Sequence, residues 1–129
     1  MKNLEQIRAA NALTVADKTT KADVNKLPAM IIANGLLATT AFANEKNDKG
    51  QPKRPAMQAV MNGVAEHLAS PKIAIVPGAT DADTLIKLLS NEKDPQANSL
   101  RLQRATAEAL AFIGYVKRFA TKEKSESED

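Results

Sequence analysis

A chain of 129 residues without a single cysteine has the size of one domain and excludes disulfides, thiolate metal sites and cysteine nucleophiles. Aromatic residues make up 3% of it, namely Phe42, Phe112, Tyr115 and Phe119, so the core must be aliphatic and alanine-rich, which suits closely packed helices better than sheets. The net charge of +3 is unevenly placed: Lys122 and Lys124 stand against Glu123, Glu126, Glu128 and Asp129 in the last nine residues, leaving sixteen basic against eleven acidic residues, or +5, elsewhere.

Such a charge suits an acidic partner such as nucleic acid, and equally suits plain solubility. No charged-then-apolar leader with a small-residue cleavage site is expected, and the longest apolar stretch, 27–43, contains Pro28, Asn34 and Gly35, too short and polar to cross a bilayer. A reducing cytoplasm is the expected setting.

In chain order, residues 3–18 read as a first helix with an apolar face from Leu4 and Ile7 through Asn11, Thr14 and Val15. Thr20 with Asp23 three residues on forms a capping signal for a second helix. Pro28 should kink or restart it. Residues 29–43 are apolar on nearly every side, the pattern of a buried central helix, and Asn34 within it should be a buried, hydrogen-bonded amide. Residues 44–55 read as a flexible loop carrying Lys46, Lys49, Lys53 and Arg54.

Met57, Val60, Met61, Val64 and Leu68 mark a third helix ending at Ser70–Pro71. Ile73 to Val76 reads as an extended connector. Thr80 and Asp83 suggest a cap for a short helix with Leu85, Ile86, Leu88 and Leu89. Asp94–Pro95 signals the start of a long last helix running to about Ala120, ~37 Å at 1.5 Å per residue. Its inner face should hold Leu102, Ala105, Thr106, Ala109, Ile113 and Val116. Its outer face should hold Arg104, Glu108, Ala111, Tyr115 and Arg118 beside the small residues Ala107 and Gly114. The expectation is an all-α fold: a compact bundle of five to six helices in a single domain over 1–120, with a disordered acidic tail over 121–129.

Chemistry is sparse. His67 has no histidine or cysteine companion and reads as structural or surface-exposed rather than a metal ligand. Asp81 and Asp83 fit a helix's first turn. The glycines form no phosphate-cradling cluster. No catalytic residue, metal or cofactor is expected. The cationic loop could follow a phosphate backbone or simply be solvated. Arg104, Tyr115 and Arg118 could stack on a base or sugar or pack on protein, or Arg104 could merely pair with Glu108. Ala107, Ala111 and Gly114 permit close approach of another helix of this chain or of a neighbouring subunit.

The run Leu27–Pro28, Ile31, Asn34–Gly35–Leu36, Thr39 to Phe42 and Lys46 resembles the small helical subunit of the type III-B CRISPR RNA-guided effector, the Cmr complex. Arg104 to Leu110, Tyr115 to Ala120 and Gln6-x-Arg8-Ala9 are similar to the same family, which often has tryptophan at Tyr115 and tyrosine near Gln103. The resemblance implies a non-catalytic subunit, several copies packing end to end beside larger backbone subunits, lining the groove where guide RNA pairs with target RNA while other subunits cleave. It makes Lys46, Lys49, Lys53, Arg54, Arg104, Lys117 and Arg118 the expected RNA contacts. Ala107, Ala111, Gly114 and Tyr115 become the expected partner contacts. A purely structural adaptor that touches only protein is the competing reading.

Overall fold

The computed structural model describes residues 3–120; the acidic tail expected at 121–129 lies outside them. Six helices follow one another among the described residues: α1 (Leu4–Ala16), α2 (Lys21–Asn34), α3 (Leu36–Ala43), α4 (Pro55–Ala69), α5 (Ala82–Ser90) and α6 (Ser99–Phe119). The all-α bundle with a long C-terminal helix is therefore what the chain forms. α6 packs chiefly on α1, with α2 and α4 beside it. One continuous core joins all six helices, with Val24, Leu27, Ile31, Leu36, Met61, Leu85 and Phe112 among its members.

Each start has a local cause. Asn3 and Gln6 exchange backbone-to-side-chain bonds of 2.9 Å to cap α1, and Thr20 accepts from the Asp23 N–H to cap α2, as expected. Pro28 neither stops nor restarts α2, which continues past it as one helix. The lost helical bond and ring clash cost about 3 kcal/mol. Val24, Leu27 and Ile31 are buried on the same helix, each stabilising by about 1.5–3 kcal/mol, so burial wins.

The expected central helix over 29–43 is two helices. Gly35 turns to φ 95°, ψ 161°, a conformation essentially restricted to glycine, and the chain changes direction there. Because α2 ends at the surface, Ile32 is 76% exposed and Asn34 is exposed rather than buried.

In α1 the buried residues are Ala12, Val15 and Ala16, whereas Leu4 and Thr14 face solvent; small residues let this helix lie close to its neighbours. A Cβ added at Gly63 of α4 would overlap the Val15 side chain, so glycine is what allows α1 and α4 to approach here.

The α4 stripe of Met57, Val60, Met61, Val64 and Leu68 is buried as expected. Residues 73–76 are not extended. Ile75 and Val76 N–H groups both donate to Leu68 O at 2.9 Å, satisfying a terminal helix carbonyl, and Ala74 takes φ 49° to allow it. Asp81, not Thr80, caps α5, exchanging bonds with Thr84, and Asn62 Oδ1 accepts from Ala82 N–H at 2.8 Å to tie α5 to α4.

α6 begins four residues later than Asp94–Pro95 suggests. Asp94 spends its carboxylate on the Gln96 N–H in a turn, and Asn98 caps Arg101 N–H instead. The helix of 21 residues is ~31 Å long.

Candidate functional site

The loop between α3 and α4 is ordered by its own hydrogen bonds. Lys46 and Pro52 form an antiparallel bridge. Asn47 N–H donates to Gln51 O at 2.8 Å, Lys53 N–H to Glu45 O at 2.9 Å, and Gly50 N–H to Asn47 O at 2.9 Å. Asn47 Oδ1 accepts from the N–H groups of Lys49 and Gln51. The result is a small hairpin rather than the flexible loop expected. Lys46, Lys49 and Lys53 are exposed on it.

Arg54 behaves differently from the three lysines. Its guanidinium lies 3.6 Å from the centroid of the Phe42 ring, and Nη1 donates to Phe42 O at 3.0 Å and to Glu45 Oε1 at 2.7 Å.

On α6, Arg104, Lys117 and Arg118 are exposed. Arg104 and Arg118 share one stripe, ~21 Å apart along the axis, whereas Lys117 lies on the flank. None of these three, nor the three hairpin lysines, forms an ion pair among the described residues. Ala107 is exposed, and Ala111, Gly114 and Tyr115 are half-buried on the same side. A Cβ at Gly114 would meet nothing within 4 Å, so its face is open. Ala107 also borders a groove of about 520 Å³ with Leu36, Leu102 and Leu110. Tyr115 packs against Phe119, ring centroids 6.3 Å apart.

Glu108 is the exception on that outer stripe. It is buried, and the buried arc of α6 is turned roughly 40° toward it relative to the expected inner face, at 100° per residue. Arg8 of α1 donates to it twice, Nε to Oε2 at 2.7 Å and Nη2 to Oε1 at 2.8 Å. His67 Nε2 meets Oε2 at 2.9 Å, and Asn11 Nδ2 meets His67 Nδ1 at 2.9 Å. Arg104 therefore has no Glu108 to pair with.

Burial holds His67 below its ordinary range, against the opposing pull of the Glu108 bond and charge. Burial works to raise the Glu108 carboxyl, but the Arg8 and His67 bonds outweigh it and hold the group below its usual range. The bond to Glu108 raises Arg8 further. A neutral His67 carrying its proton on Nε2 gives every donor an acceptor: Asn11 to His67, His67 to Glu108, and Arg8 to Glu108. Phe112 stacks on the ring at 4.3 Å. The network joins α1, α4 and α6 and leaves no acid or base open to a substrate.

Among the described residues no group of three or more His, Cys, Asp or Glu side chains could hold a metal ion. No helix there is long and apolar enough to cross a membrane. The model of the family "CRISPR-associated protein (Cas_Cmr5)" matches residues 2–123. The chain belongs to this family. Cas_Cmr5 proteins are small, non-catalytic accessory subunits of type III CRISPR effector complexes, working through protein partners within the assembly. The resemblance at Leu27 to Lys46 and Arg104 to Ala120 thus identified the family. No match was found among curated proteins or solved structures.

Sequence reasoning missed the Arg8–Glu108–His67–Asn11 network as a unit. Its only signal was a lone histidine and a lone glutamate, each on a helix with apolar neighbours. Arg8 and Glu108 are 100 residues apart, and no periodicity links them.

Proposed function

We propose that this Cas_Cmr5 subunit lines the path of guide RNA paired with target RNA in a cytoplasmic effector complex, supporting target binding in antiviral defence. The observation that carries this reading is the division of labour among the seven cations expected to meet RNA. Arg54 is consumed inside the chain, while Lys46, Lys49, Lys53, Arg104, Lys117 and Arg118 stay exposed and unpaired among the described residues. Unpaired surface cations gain from releasing the counterions of a phosphate backbone, without reading its sequence. Base pairing then supplies the specificity, as in other guided effectors. Copies of the subunit and the larger backbone subunits meet at the open face of Ala107, Ala111, Gly114 and Tyr115, where small residues permit close approach.

The test is a reconstituted complex in which Lys46, Lys49, Lys53 and Arg118 are reversed to glutamate. Target affinity should fall and its dependence on salt should flatten. Unchanged affinity would leave the adaptor reading, in which the subunit touches only protein. The groove beside Ala107 and the exposed Ile32 and Leu100 fit that second reading. Crosslinking separates the two, because an adaptor assembles normally yet yields no protein–RNA adduct.

A further inference from the structure

Three lysines stand on a hairpin whose base is braced by one guanidinium. We infer that Arg54 is a positioning residue and not a phosphate contact: it fixes the hairpin in the register that presents Lys46, Lys49 and Lys53 to an RNA backbone. The assignment rests on the reading of this hairpin as an RNA contact.

The geometry gives the reason. Arg54 lies on the returning arm and Glu45 on the outgoing one, and the backbone rung between the arms, Lys53 N–H to Glu45 O, is 2.9 Å long. The ion pair from Arg54 Nη1 to Glu45 Oε1 at 2.7 Å crosses the arms beside that rung. The same Nη1 donates to Phe42 O, a carbonyl of the last turn of α3 that also accepts from the Glu45 N–H at 3.3 Å. The ring of Phe42 lies under the guanidinium, and a planar cation is suited to meet a ring face and two acceptors together.

Arg54 is thus anchored to the bundle on one side and to the hairpin on the other. A phosphate approaching it would compete with a carboxylate already in place. The lysines have no such partner among the described residues. Holding them in register before binding lowers the ordering cost that flexible cations would incur on meeting RNA.

The salt dependence of target-RNA binding by the reconstituted complex distinguishes a contact from a brace. Each lost phosphate contact lowers the slope of log K against log salt by about 0.7–0.9. Lys49→Gln and Lys53→Gln should each reduce the slope by about that amount. Arg54→Met should weaken binding about tenfold, through the ordering cost, and leave the slope unchanged. Arg54→Lys should rescue poorly, because an ammonium has no planar face to stack on the Phe42 ring while it bonds the two acceptors. In the free chain, amide hydrogen exchange at Lys53 and Gln51 should quicken in Arg54→Met.

Glu45→Gln provides a milder variant: it should weaken RNA binding even though it removes a negative charge. A slope reduced by a full contact in Arg54→Met, wild-type affinity in Arg54→Lys, or tighter binding by Glu45→Gln would each overturn the positioning role while leaving the RNA reading intact. If Lys49→Gln and Lys53→Gln change neither affinity nor slope, the RNA reading falls, and the assignment falls with it.

Discussion

Replacing Glu108 by alanine removes the acceptor of three hydrogen bonds at once, two from Arg8 and one from His67. The two donors do not suffer equally. The Arg8 side chain is 24% exposed and rehydrates in part, whereas that of His67 is fully enclosed. Breaking a buried charge pair by removing one partner costs about 3–5 kcal/mol, and the access of Arg8 to water places this case near the lower end, about 3 kcal/mol. Domains are stable by about 5–15 kcal/mol in total, so a large share goes. A melting temperature lower by about 10 °C follows for a chain of this size.

Urea unfolding followed by far-UV circular dichroism should show the midpoint falling with an unchanged m-value. Arg8→Met combined with Glu108→Leu should cost clearly less than the sum of the two single changes, because the double variant leaves neither charge of the Arg8–Glu108 pair stranded. A loss below about 1 kcal/mol in Glu108→Ala would refute the claim that this carboxylate holds three helices together.

Acid should act on the same network. The unfolded chain protonates His67 below about 6.5 while the folded chain resists, so stability is complete above that pH and declines as pH falls, by up to about 1.4 kcal/mol per unit. A further decline begins near 4.5, where the unfolded chain protonates Glu108 first; His67→Gln should remove the upper part of the profile, as unfolding curves between pH 8 and 4 would show.

Gly35→Ala should destabilise by about 1–3 kcal/mol through backbone strain alone, since the space around it is empty. Gly63→Ala should destabilise through collision with Val15, the overpacking cost of about 1–3 kcal/mol exceeding the helix-propensity gain of up to about 1 kcal/mol; Val15→Ala should then relieve it in thermal melts. Gly114→Leu should melt no lower than the parent chain, because its surroundings are open, yet fail to enter the reconstituted complex. Normal incorporation would remove that face from the interface.

Local signals were legible where one residue decides the outcome. Thr20 caps α2, the α4 stripe from Met57 to Leu68 is buried, and α4 stops at Ser70. They misled where two local signals compete. Asp94–Pro95 is a sound helix start, but Asn98 four residues later is another, and the Asp94 carboxylate is already committed to a turn. The apolar run over 29–43 hides its break because apolarity reports burial and not direction, and the glycine φ that redirects the chain is invisible to periodicity. Glu108 was assigned outward since an isolated helix gives a carboxylate no reason to turn in. The reason is Arg8 and His67, brought there by the fold. The hairpin cations were found by composition, but only the geometry separates Arg54, lying on Phe42, from the three lysines.

The bond between Arg8 and Glu108 spans 100 residues of chain and ties the first helix to the last. Loop closure over that distance has to precede the contact that rewards it. During synthesis α1 emerges before α6 exists to receive it, so Arg8 waits until Glu108 has left the ribosome. A nascent chain interrupted before Glu108 leaves Arg8 and His67 without their acceptor, and a chain held open in this way is exposed to proteases.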